Sequence, residues 1–125
     1  SSSIYEFGEL SVGSKNLWPN KKPLKFLDKI NLNSITIDDL IKKNDLDIKL
    51  YDHWVMDLQG AELLALKGAK KSLINCKSIS IEVSDGEVYK EGPNYKEIIN
   101  FLDANNFKPT GKIASKHTNL LFLRK

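Results

Sequence analysis

A single stretch, Trp54 to Ser84, constrains what this chain can fold into more than any other. An apolar run of Trp54, Val55 and Met56 ends on Asp57, and a turn at Gln59-Gly60 follows. A helical pattern then spans Ala61 to about Ile74, and a second apolar run ends near Glu82. Leu63, Leu66, Ala69 and Leu73 recur at helical spacing while Lys67, Lys70 and Lys71 take the other side, so the segment predicts a helix that lays one stripe on a sheet. Asn75 is a plausible stop. Two strands joined through one such helix are most simply parallel, and parallel strands covered on both faces read as continuous apolar runs. Asp57 and Glu82 then both fall at strand C-terminal ends, the edge where open α/β sheets bind ligands.

The same residues carry a resemblance. Met56-Asp57-Leu58-Gln59-Gly60-Ala61-Glu62, then Leu66-Lys67-Gly68-Ala69, then Ile81-Glu82-Val83 resembles the D-x-[QE]-G-A-E, L-x-G-A and I-E-x signature of FkbM-type S-adenosylmethionine-dependent methyltransferases. A weaker similarity runs from Ile35 through Leu40 to the final Asn119 to Leu123. The resemblance implies an α/β fold: the C-terminal half of a Rossmann-like class I methyltransferase sheet, mainly parallel with an antiparallel C-terminal strand. It also implies transfer of a methyl group from S-adenosylmethionine to a hydroxyl of a small molecule or glycan.

The N-terminal part reads differently. Ser1 to Pro23 has the composition of an irregular arm, with Ser, Gly, Asn and Pro interrupting short apolar groups. Within it Gly8 to Lys15, GELSVGSK, approaches a phosphate-binding loop, but Ser14 precedes Lys15 where that motif requires Lys and then Ser or Thr. Leu24 to Asn33 has no decisive period, and Asn33 to Ile37 alternates as a short strand. Asp38 is placed to cap a short helix from Asp39 to about Lys43.

Beyond the central unit, Asp85 to Pro93 is a polar loop whose large aromatic residue is Tyr89. Asn94 and Glu97 form a capping-box pattern ahead of Tyr95, Ile98, Ile99 and Leu102, which repeat at i, i+3, i+4 and i+7. Asn105-Asn106 ends that helix, and Phe107 returns to the core. Lys112 to Ser115 and Asn119 to Leu123 are read as a C-terminal hairpin. In class I methyltransferases the last strand inserts antiparallel between the preceding two, and the resemblance implies that arrangement here.

Composition narrows the function classes. With 41% hydrophobic and 28% charged residues, the 125-residue chain is ordinary for one globular domain. The net charge of +3 is spread without a basic stripe, which argues against a nucleic-acid groove. Cys76 has no second cysteine to pair with and is read as a buried core residue. Two histidines and one cysteine make no zinc pattern, and a carboxylate metal site is possible but unsupported by spacing, so no metal is assigned. No run approaches the ~20 apolar residues of a membrane span, and a cytoplasmic enzyme or module is the expectation.

The chemistry-bearing candidates are carboxylates. Methyl transfer needs an acceptor aligned behind the methyl carbon and often a base to take its proton. Asp57 is the first candidate, either as that base or as a cap on the amides of Gln59 and Gly60. Glu62 sits where a helix dipole favours a carboxylate in any case. Glu82 points opposite to Ile79, Ile81 and Val83 and needs a partner if both faces are covered. Gln59 and Tyr89 are candidate substrate contacts, whereas His53 and His117 lack motif partners.

The glycines, at 8, 13, 60, 68, 86, 92 and 111, form no cofactor-cradling cluster, and no strand with such a loop and a ribose-binding acid is present. The expectation is therefore a piece of a longer chain that is catalytic once completed, or alternatively a noncatalytic interaction module derived from the fold. The implied partners are an acceptor molecule and either a second copy or an N-terminal half-domain.

Overall fold

The computed structural model describes residues 3–8, 11, 27–86, 88–112 and 117–125. Its elements are α1 (Ile37–Lys43), a 3-10 turn (Ile48–Leu50), β1 (His53–Met56), α2 (Glu62–Lys67), a second 3-10 turn (Ser72–Asn75), β2 (Ser78–Ser84), α3 (Tyr95–Ala104), β3 (Phe107–Pro109) and β4 (His117–Arg124). The strands form one sheet in the order β1-β2-β4-β3. β1 and β2 pair in parallel, with Trp54 opposite Ile79 and Met56 opposite Ile81, as the strand-helix-strand reading requires. β4 runs antiparallel to both β2 and β3. Three strands thus share a direction, but one of the three pairings is parallel, so the sheet is mixed rather than mainly parallel.

Period decides which face is covered. β2 alternates as SISIEVS, so Ile79, Ile81 and Val83 are buried on one face while Ser78, Ser80, Glu82 and Ser84 lie half-buried on the other. The buried face packs with Leu63 and Leu66 of α2, Ile98 and Leu102 of α3, and Phe107, Leu120 and Phe122. On the opposite face Val55, Leu121 and Leu123 stay exposed, Val55 at 74%. Described helices cover one side, which is why β2 alternates and does not read as the continuous apolar run expected of a doubly covered strand.

Several expected elements differ. The helix predicted from Ala61 to Ile74 stops at Lys67, where Gly68 caps it, and resumes as the 3-10 turn Ser72–Asn75. The cause is distant in sequence: Asp38 accepts hydrogen bonds from the amides of Lys71 and Ser72, at 3.0 and 2.9 Å, and from the Ser72 hydroxyl at 2.6 Å. Those bonds fasten a new turn start. Asp38 therefore does not cap its own helix; Thr36 does, its hydroxyl accepting from the Asp39 amide at 3.1 Å. Of the strand expected at Asn33 to Ile37, Asn33 to Thr36 pairs with no described strand and Ile37 already opens α1; Ile35 is half-exposed. The strand ahead of β4 is Phe107–Pro109, and the predicted one at Lys112 to Ser115 lies almost wholly outside the described residues.

Burial alone would raise the Asp38 carboxyl, but the Ser72 hydroxyl and the amides of Lys71 and Ser72 outweigh it and hold the group below its ordinary 3.8. A depressed native pKa means stability that is present above 3.8 and lost as pH falls through the native value. Asp38→Ala is expected to cost about 0.5–2 kcal/mol, the range for losing such a cap. Urea titration at neutral pH reads it, and the difference from the parent should shrink towards acid pH.

Local signals held elsewhere. Asn94 and Glu97 form the capping box reciprocally, at 3.1 and 2.9 Å. Asn106 takes φ +65°, the left-handed conformation that Asn tolerates. At the far end of β4, the Arg124 guanidinium donates to the carbonyls of Leu73, Cys76 and Asn105 and stacks over the Phe107 ring at 4.4 Å. One side chain thereby ties the last strand to the second 3-10 turn and to the end of α3. Cys76 is fully buried and burial pushes its thiol up to about 11, in keeping with a core role.

Candidate active site

The turn after β1 is built for a close approach. Gly60 has φ +100°, and a Cβ there would meet the Tyr89 ring at 2.9 Å and the Tyr5 ring at 3.2 Å. Glycine is thus required twice, by conformation and by space. Glu62 folds back over this turn, its Oε1 accepting from the amides of Leu58 at 2.8 Å and Gly60 at 3.3 Å. It is 3% exposed. The turn cap expected of Asp57 is therefore supplied by Glu62. Asp57 is exposed, and its Oδ1 accepts from Gln59 Nε2 at 2.6 Å.

The three carboxylates foreseen from sequence do converge. Oxygens of Asp57, Glu62 and Glu82 lie within 4.8 Å of one another at the C-terminal end of the parallel β1-β2 pair. Oxygen clusters of this kind suit hard cations. Here each carboxylate also has a protein partner. Gln59 and Tyr89 join them, Tyr89 Oη donating to Gln59 Oε1 at 2.5 Å. A chain of hydrogen bonds thus leads from Tyr89 through Gln59 to Asp57.

Beside this chain lies a small pocket of about 30 Å³, lined by Gly60, Glu62, Glu82, Ser84, Tyr89 and Ile98 among others. Asp57 is outside that lining. Burial raises the Glu82 carboxyl above its ordinary 4.5, and the negative Asp57 and Glu62 add to this, while His117 works against it. Burial, with the same three carboxylates, pushes the Tyr89 hydroxyl up to about 12, so it stays a donor at neutral pH.

Sequence reasoning missed the partner of Glu82. His117 is not isolated: its Nε2 is 2.9 Å from Glu82 Oε1 and its Nδ1 is 2.7 Å from Ser84 Oγ. The register of β4 against β2, with Ser84 opposite His117, creates this contact, and no local motif announces it. His53, by contrast, lies at the start of β1, its Nδ1 2.6 Å from Ser78 Oγ, away from the carboxylates.

The N-terminal arm closes the far side. Phe7 bridges antiparallel to Tyr89, with the rings 6.1 Å apart. The Gly8 amide donates to the Val88 carbonyl at 2.8 Å, and Ser3 Oγ donates to the Gln59 carbonyl at 2.6 Å. The buried Ser11 hydroxyl also donates to Val88, at 2.7 Å, so the described part of the near-phosphate motif braces the Tyr89 loop. Its remaining residues 9–10 and 12–15 lie outside the described set.

With that geometry in view, comparison with known families is decisive: the family model for the methyltransferase FkbM domain matches residues 7–109, most of the chain. The chain belongs to the FkbM methyltransferase family. No curated protein and no solved structure matches it. The family match covers the N-terminal arm from Phe7 as well as the carboxylate cluster, the Tyr89 loop and α3, and it ends at β3, before β4 begins. No helix among the described residues is long and apolar enough to cross a membrane.

Proposed function

We propose that this chain is the acceptor-binding, C-terminal half of a Rossmann-like FkbM methyltransferase domain, one that methylates a hydroxyl of a small molecule or glycan once a cofactor-binding half completes it. The observation that carries this reading is the convergence of Asp57, Glu62 and Glu82 at the C-terminal ends of parallel strands beside a pocket. The antiparallel β4 between β2 and β3 supports it further.

The methyl donor of such a reaction is S-adenosylmethionine, which supplies an electrophilic methyl carbon when bound. The described residues do not fit that cofactor on their own. The pocket is lined by two carboxylates, Glu62 and Glu82, and its glycines, Gly60, Gly86 and Gly92, are spread over two loops rather than gathered in one glycine-rich turn after a strand.

What these residues supply is the acceptor's side. Glu82, with Oε1 engaged by His117, takes the acceptor's proton on Oε2. Its raised proton affinity suits that task better than an ordinary carboxylate's. Asp57, Gln59 and Tyr89 form the polar wall that orients the hydroxyl, while Glu62 holds the turn in shape. A cytoplasmic setting is proposed with this function.

The direct test assays the completed protein for transfer of labelled methyl to hydroxyl-bearing small molecules and to glycans. Label found only on nitrogen or carbon of every acceptor would overturn the hydroxyl assignment. For the 125-residue chain alone, negligible S-adenosylmethionine binding is the expected result. Saturable binding by titration calorimetry at micromolar concentration would show that these residues, alone or as a dimer, do build a cofactor site.

A second reading, a noncatalytic interaction module, draws on the sheet face that no described helix covers and on β1, the edge strand among the described residues. Val55 is exposed on that edge strand, with Leu121 and Leu123 of β4 exposed further across the same face, and unpaired apolar edges associate. The described arm residues lie along Val88 to Lys90 and leave the β1 edge uncovered. Self-association is therefore the outcome expected in light scattering, either as a dimer or as larger species. A monodisperse monomer at high micromolar concentration would contradict it.

A further inference from the structure

We infer that His117 is a positioning residue for Glu82, fixed by Ser84 so that its ring aims the carboxylate at the pocket; this rests on the reading of Glu82 as the acceptor's base. The residues involved come from two strands distant in sequence but adjacent in the sheet. Ser84 pairs directly with His117 across β2 and β4, and Glu82 pairs with Asn119, so His117 is the diagonal same-face neighbour of Glu82. Both ring nitrogens are engaged, Nδ1 with Ser84 Oγ at 2.7 Å and Nε2 with Glu82 Oε1 at 2.9 Å. Engagement of both nitrogens fixes the rotation of the ring.

Electrostatics gives the clamp its purpose. Glu82 faces two other carboxylates, Asp57 and Glu62, with the Tyr89 hydroxyl on the same side, and repulsion alone would swing its side chain away. Donation from Nε2–H to Oε1 opposes that repulsion and leaves Oε2 for the acceptor. The Glu82 carboxylate only accepts, so the ring nitrogen facing it carries a hydrogen, and Ser84 Oγ, 2.7 Å from Nδ1, holds the other side of the ring. Both side chains are mostly shielded, His117 at 25% and Glu82 at 17% exposure, so water competes weakly for these bonds.

The test has two readouts. In the 125-residue chain, nitrogen NMR of the His117 ring should report Nε2 carrying a hydrogen in a single hydrogen-bonded state, and Ser84→Ala should release the ring. A ring exchanging between tautomers like an exposed histidine would overturn the clamp. In the completed enzyme, His117→Leu should lower kcat by about 10–100-fold, the scale for losing an outer partner that orients a functional group, with KM nearly unchanged. His117→Gln, whose amide nitrogen can reach the place of Nε2, should restore most of the loss at a similar melting temperature. Equal losses in both variants, or none in either, would overturn the positioning role. Wild-type turnover in Glu82→Gln would instead sink the base assignment, a result separable from the ring spectrum.

Discussion

The Glu62→Ala variant is expected to lose about 2–4 kcal/mol of folding stability, although the side chain removed is a charged one. Glu62 is buried and its Oε1 accepts from two amides of the turn, Leu58 and Gly60. Each amide left without a partner costs about 1–3 kcal/mol, and the Gly60 bond, long at 3.3 Å, counts at the lower end. Against this stands relief of repulsion from Asp57 and Glu82, which a neutral residue at 62 provides. The turn term wins because the amides lie inside a turn whose Gly60 is pressed against Tyr5 and Tyr89. Glu62→Gln keeps an acceptor oxygen and should fall between the two. Urea melts give the free energies, and amide exchange at Leu58 and Gly60 locates them. An alanine variant within half a kilocalorie of the parent, by that measurement, would mean that water takes over both amides.

What could be read from the chain before folding divides by distance. The capping box at Asn94 and Glu97 and the alternation of β2 are local, and both appear in the structure where the residues put them. The convergence of Asp57, Glu62 and Glu82 was legible too, because a strand-helix-strand unit places strand ends together whatever surrounds it. The break in the helix after Lys67 was not, since its cause is a carboxylate more than thirty residues upstream. Asp38 looked like an N-cap because capping is the commonest use of an acid at that position, yet Thr36 was free to do the same work. The Glu82–His117 pair depends on the register of an inserted antiparallel strand, information that no window along the sequence contains. Of the two uses the sequence leaves open to Asp57, base or turn cap, the cap is filled by Glu62, because the turn's left-handed Gln59, at φ +54°, presents the amides of Leu58 and Gly60 to it.

In the completed enzyme, Glu82→Gln is expected to lower turnover by about 10²-fold or more, the scale of a lost general base. Glutamine keeps the size of the side chain and an oxygen for His117 Nε2–H, so geometry is largely preserved while the proton acceptor is removed. Asp57→Asn makes the informative comparison. Its remaining oxygen still accepts from Gln59, and Asp57 is exposed and outside the pocket lining, so a smaller loss is expected if Glu82 is the base. The reverse order would return the base assignment to Asp57. The pH profile supplies a second check with a definite sign. Burial, together with Asp57 and Glu62, raises the Glu82 carboxyl above 4.5 against the pull of His117, so its ionised form is lost at a higher pH than for a free glutamate. Activity should therefore fall on the acid side with a limb displaced above 4.5, and Glu82→Gln should abolish that limb along with most of the rate. Removing the Asp57 charge should move the limb down towards the ordinary value, because one of its two repelling carboxylates is gone. The same displacement bears on folding: a raised native pKa means that ionising Glu82 weakens the fold as pH climbs from 4.5 through the native value. Glu82→Gln should therefore narrow the stability difference between acid and neutral pH. An enzyme whose Glu82→Gln form folds normally, turns over at the parent rate and keeps the acid limb would place the proton acceptor elsewhere.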